Sequence, residues 1–131
     1  MKNSKVLKTY LVISGLLLSF IGGTTLFIPI KMKGSAGIDI AGNISVINDV
    51  RAFSTLILAI AILTLLGAFL KKLTYTSSLV SFLLFLSLGI GRVISILIDG
   101  MPVGGLVKAT ALELVLGTIG AILFLTYQRK K

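Results

Sequence analysis

YTSSLVSFLLFLSLGIGRVISILI, residues Tyr75–Ile98, holds one charge, Arg92, in an otherwise apolar or hydroxyl-bearing run. That run exceeds the ~20 residues with which a helix crosses a bilayer. Three further runs meet the same condition: Thr9–Ile30, Ser45–Leu70 and Gly105–Tyr127. The expected fold is an all-α membrane protein, an antiparallel four-transmembrane-helix bundle that forms a single domain over residues 1–131.

Composition agrees. The chain is 56% hydrophobic and 13% charged, with a mean hydropathy of +1.08, whereas soluble domains carry roughly 25% charged residues. A formal net charge of +9 raises the question of nucleic acid. The cations sit at the ends of the apolar runs and not along one polar face, so nucleic acid is not an expected partner. Lys2, Lys5, Lys8, Lys71, Lys72, Arg129, Lys130 and Lys131 fall on one side if the helices alternate direction. Only Lys31, Lys33 and Lys108 fall on the other. The excess of cations on cytoplasmic segments then predicts a cell-membrane protein with both termini in the cytoplasm.

Cysteine and histidine are absent. Thiol redox chemistry is therefore excluded. Zinc, haem and copper sites lose their usual ligands. Four acidic residues scattered along the chain do not compose a calcium or magnesium cage. No cofactor and no metal is expected. The basic start followed by Tyr10–Ile21 resembles a signal peptide, but the apolar run continues through Leu26–Ile30, which points to a retained helix.

Punctuation follows from the same reading. The first helix is expected to stop near Pro29–Lys33. The Gly-rich stretch Lys33–Asn43 is expected to be the longest loop, facing outside, with Gly37–Ala41 as a short extended or surface-lying piece. Ser45 or Asp49 is expected to cap the second helix. A short turn at Lys71–Lys72 makes helices two and three neighbours. Asp99-Gly100-Met101-Pro102 is a turn. Gly15, Ser19 and Gly22/Gly23 on the first helix are small residues that let a neighbouring helix backbone approach closely, and Glu113, Gly117 and Gly120 share one face of the fourth.

The intramembrane charges carry the functional question. At 1.5 Å per residue, Arg92 lies roughly 9 Å, Glu113 roughly 12 Å and Arg51 roughly 9 Å inside the outer ends of their helices. A charge at a helix centre in a bilayer costs about 2.5–3.5 kcal/mol on insertion scales, so each needs a partner, water or a ligand. Ser95 and Asp99 share a helix face with Arg92, and Asp49 stands beside Arg51. The candidate cluster is Arg51, Arg92, Glu113, Asp49, Asp99 and Ser95, read either as a ligand-binding site or as helix-pinning ion pairs.

These elements resemble a known family. Asp49-Val50-Arg51-Ala52-Phe53 opens the second helix. Gly89-Ile90-Gly91-Arg92-Val93-Ile94-Ser95 closes the third, and Gly100-Met101-Pro102 and Glu113 follow. Their order and spacing are similar to domain of unknown function family 4345, small four-helix bacterial integral membrane proteins. The family pattern is an acidic-x-Arg element, a Gly-x-x-Arg-x-x-Ser run, Gly-x-Pro and an intramembrane Glu. Asp49 stands where the pattern carries a longer Glu, and Ser54-Thr55 where it carries two glycines. The resemblance implies the fold and a candidate site, and no reaction.

Three functions compete. Two arginines beside one glutamate suit an amphipathic or anionic small molecule or lipid, bound or transported. Small-residue helix faces suit a structural or accessory subunit that docks on a second copy or on a larger membrane partner. Glu113 beside arginines suits intramembrane acid–base chemistry, but no nucleophile–base pair accompanies it, so no catalytic residue is named. A small multidrug antiporter is disfavoured because its working glutamate lies in the first helix, and here that helix has no acidic residue.

Overall fold

The computed structural model describes residues 4–128; Lys2, Arg129, Lys130 and Lys131, used above to assign sidedness, lie outside the described residues. Within them the chain is all-helical, with five helices: α1 (Lys5–Phe27), α2 (Pro29–Ser35), α3 (Ile44–Phe69), α4 (Lys71–Asp99) and α5 (Gly104–Tyr127). The four long ones are each long and apolar enough to cross a membrane. Their outward faces carry large apolar side chains such as Leu16, Ile62, Leu97 and Leu125, the surface that hydrocarbon solvates and water does not.

The ends of the helices have local causes. The Ser4 side chain accepts from the Leu7 N–H at 3.4 Å and starts α1. Pro29 stops it, because its ring lacks an N–H and pushes the preceding residue out of helical geometry. Ile28 accordingly has φ −132° and ψ 60°. Pro29 is also well suited to a first helical position, so the chain re-enters a helix at once. The first span thus ends at Phe27, and the seven-residue α2 takes in Lys33–Ser35, the start of the expected loop.

At the far end of α2, Gly37 takes φ 91°. Its N–H reaches Gly34 O at 3.0 Å, and that of Ile38 reaches Lys33 O at 2.9 Å. This pair of bonds is a left-handed glycine stop. Gly37–Ala41 forms turns and an irregular link, and Ile40 within it is buried.

Two further boundaries differ from expectation. Asn43, not Ser45 or Asp49, caps α3 by accepting from the Val46 N–H at 3.1 Å. Asp49 therefore lies beyond the first turn. Between α3 and α4 only Leu70 is non-helical, with φ −103° and ψ 106°; Lys71 and Lys72 open α4 itself. Gly100, at φ 96°, closes α4, its N–H bonded to Ile96 O at 2.9 Å.

Packing is uneven. The closest pairs are α1 with α3, α4 with α5 and α3 with α4, while α1 touches α4 and α5 sparsely. Glycines mark the tight crossings: Gly15 against Leu65, Gly22 against Leu58, Gly89 against Leu114 and Gly117 against Leu86. One apolar core joins Leu18, Ile57, Ala61 and Phe85. A second joins Leu7, Tyr10 and Leu11 with Leu116, Leu123 and Tyr127. Hydroxyls bind carbonyls of neighbouring helices: Tyr10 to Leu116 O at 2.8 Å and Ser77 to Leu63 O at 2.7 Å. In hydrocarbon no water competes for such bonds.

Candidate functional site

The end of the molecule that carries α2 holds a cavity of about 110 Å³. Leu18 and Ile21 of α1, Ile57 of α3, Phe85 and Leu88 of α4 and Leu112 of α5 make its wall apolar. Lys33 of α2, Arg92 of α4 and Glu113 of α5 bring charge into it. All five helices therefore contribute.

Arg92 and Glu113 form a fork. The Arg92 Nε donates to Glu113 Oε1 at 2.7 Å, and Nη2 donates to Oε2 at 3.4 Å. The side chains are 31% and 13% exposed. Two parallel charge-assisted bonds hold the guanidinium plane in one orientation and tie α4 to α5. A second, smaller concavity of about 70 Å³ lies on another side of Arg92, lined by Ser95, Ile96, Pro102, Leu106 and Thr110. Arg92 thus separates two hollows, and Ser95 belongs to the lesser one.

Arg51 has a different task. Its Nη1 donates to the Leu26 carbonyl at 2.6 Å, in the last turn of α1. Helix-terminal carbonyls lack intrahelical partners, and a cation there also interacts favourably with the helix dipole. Arg51 pins α3 to the α1–α2 break and does not line the cavity. Asp49 and Asp99 are both exposed. Arg92–Glu113 is the one ion pair among the described residues, so the alternative partners Asp49 and Asp99 are not the ones used.

Lys33 was expected as an outer-side cation and not as a site residue. The break at Pro29 and the stop at Gly37 make a short helix from Pro29–Ser35, which leaves Lys31 exposed and turns Lys33 inward. The signal lay in the proline followed by glycine at helical distance, which frames a short helix as well as it frames a loop. Burial pulls the Lys33 ammonium below its usual pKa; nearby Arg92 adds to this and Glu113 opposes it.

The sign of the linkage follows. A lysine that binds its proton less tightly when folded opposes folding at every pH below its folded pKa. That penalty is relieved as pH rises from there toward the usual 10.5. Lys33→Met, which keeps the stem and drops the charge, should raise stability at neutral pH by about 0.5–2 kcal/mol and flatten the alkaline rise. Unfolding midpoints measured across that pH range in detergent test both.

No group of three or more metal-ligating side chains occurs among the described residues. What the arrangement offers is one forked ion pair and one ammonium without a carboxylate partner, set at the end of an apolar hollow. Comparison with curated proteins and with solved structures gives no significant match. A family model described as Domain of unknown function (DUF4345) matches residues 6–124, from the first turn of α1 to the last turn of α5, and the chain belongs to that family.

Proposed function

We propose that this membrane protein binds a small amphipathic anion in the cavity, its head at Lys33 and Arg92 and its tail against the apolar wall. The observation that carries this is Lys33, an ammonium turned into an apolar hollow beside an ion pair that already satisfies itself. Two cations and one carboxylate leave one net positive charge, which suits a monoanion. A volume of about 110 Å³ corresponds to roughly seven to eleven water-sized positions at ~10–15 Å³ each. That accommodates a headgroup and the first part of a chain.

The setting proposed for it is an antiparallel four-helix bundle in the cell membrane, with both termini cytoplasmic. Contact pairs support the antiparallel course: Gly15 with Leu65 and Gly22 with Leu58, then Gly89 with Leu114 and Gly117 with Leu86. In each set the number falls on one helix as it rises on the other. The cation excess at the termini and at Lys71–Lys72 supports the orientation, and with that orientation the cavity would lie in the outer half.

A second reading rests on the fork itself, which clamps α4 to α5 with no ligand present. Native mass spectrometry of the gently purified protein separates the two. The expected result is a co-purifying anionic amphiphile, lost in Lys33→Gln while Lys33→Arg keeps it. Bare protein in all three would leave only the clamp.

A further inference from the structure

The route to the cavity is written in the packing, and it rests on the binding reading above. The water-facing side of the hollow is roofed. α2 brings Lys33 into its lining and is seated by buried Pro29, just past the last turn of α1, which Arg51 ties to α3 through Leu26 O. The link that follows abuts α5: a methyl added at Gly105 would lie 2.8 Å from Ala36 O, and one added at Gly37 would touch Val103. Backbone thus meets backbone between the α2 link and the start of α5.

The opposite end is sealed as well. There Tyr10 hydrogen-bonds to Leu116 O, and Leu7, Tyr10 and Leu11 pack with Leu116, Leu123 and Tyr127. Between roof and seal, α1 and α5 are sparsely in contact, although both line the cavity through Ile21 and Leu112. Leu112 lines the cavity and is 43% exposed. The two side chains that meet the cavity at this seam, Ile21 and Leu112, are both apolar.

We infer that the ligand is a single-chain amphiphile with a monoanionic head that enters sideways from the bilayer, through the α1–α5 seam, and not from water through the roof. Its chain stays in hydrocarbon throughout, and its head exchanges the membrane surface for Lys33 beneath α2. The chemistry is complementary at each end: an apolar slot where the chain passes and an ammonium without a carboxylate partner where the head stops. A volume of about 110 Å³ suits one chain better than two.

The chain has no cysteine, so paired cysteines can be bridged without background. The probe is a diazirine-bearing hexadecanoic acid in vesicles of phosphatidylethanolamine and phosphatidylglycerol. Photolabelling of the unbridged protein is expected at residues around Lys33 and Leu112. Bridging Ile21→Cys/Leu112→Cys with a short bismaleimide should cut labelling at least tenfold. Bridging Leu63→Cys/Ser77→Cys, at the sealed end, should leave it unchanged.

Labelling that survives the α1–α5 bridge, or is lost only when Phe53→Cys/Leu88→Cys is bridged between α3 and α4, overturns the seam. Labelling of equal strength by a short water-soluble analogue, butanoate, with the seam bridged would restore entry through the roof. An unbridged protein that takes no label at all overturns the binding reading, and the route with it.

Discussion

Glu113→Gln should lower the stability of the solubilised protein by about 2–3 kcal/mol. Removing one partner of a buried ion pair typically costs about 3–5 kcal/mol, because the other charge is left uncompensated. Here the figure is smaller, since Arg92 is 31% exposed and its head can move toward the interface on its long stem. Arg92→Ala should cost a similar amount, because Glu113, at 13% exposed, then loses both donors. The double variant Arg92→Met/Glu113→Leu should regain most of the loss, as apolar groups of similar volume need no partner. Unfolding midpoints for the unaltered protein, Arg92→Met, Glu113→Leu and that double variant close a mutant cycle, and a coupling of about 0.5–3 kcal/mol is expected for residues in direct contact. A cycle that closes with no coupling would show that the fork contributes nothing to holding α4 against α5.

The cycle also bears on which parts of the site a sequence can disclose. Depth along a helix is a one-dimensional quantity, and it put Arg92 and Glu113 at one level; the two meet at 2.7 Å. The four spans were legible for a similar reason, since hydropathy and length decide what can cross a bilayer. Arg51 was expected in the same layer, but it finds another partner. Depth says nothing of rotation about the helix axis, and that rotation delivers its guanidinium to Leu26 O. Lys33 was invisible because a Pro-to-Gly segment of mixed polarity reads as a loop until something packs beneath it. What turns it into α2 is tertiary: a hollow for Lys33 to face and an α5 terminus for Ala36 to rest on. Leu70 makes the same point. Two lysines look like a connection, yet α4 begins on them because Ser77 and Thr74 find the α3 carbonyls of Leu63 and Gly67, which draws the turn tight.

Gly22→Leu should be the most damaging single change in the apolar part of the molecule, at about 3 kcal/mol, the upper end of what overpacking usually costs. A Cβ there would lie 2.9 Å from Leu58 N and 3.1 Å from Ser54 O. Both are backbone atoms of α3, so no side chain can step aside and the two helices must separate. Gly117→Leu should act alike between α5 and α4, with its Cβ 2.8 Å from Leu86 N. Gly23 is the control, because a Cβ there meets nothing within 4 Å. Gly23→Leu should therefore be neutral or stabilising by up to about 1 kcal/mol through helix propensity alone. The residues are adjacent, so the contrast cannot come from depth, composition or position in the chain. Gly22 also lines the cavity, and this makes the pair a test of function as well as of packing. Parting α1 from α3 beside Ser54 and Ile57 reshapes the slot in which an amphiphile's chain would lie. Photolabelling by the fatty-acid probe should therefore fall in Gly22→Leu and persist in Gly23→Leu. If both variants fold and label alike, the crossing at Gly22 does not shape the site, and the cavity's width must be set by α4 and α5.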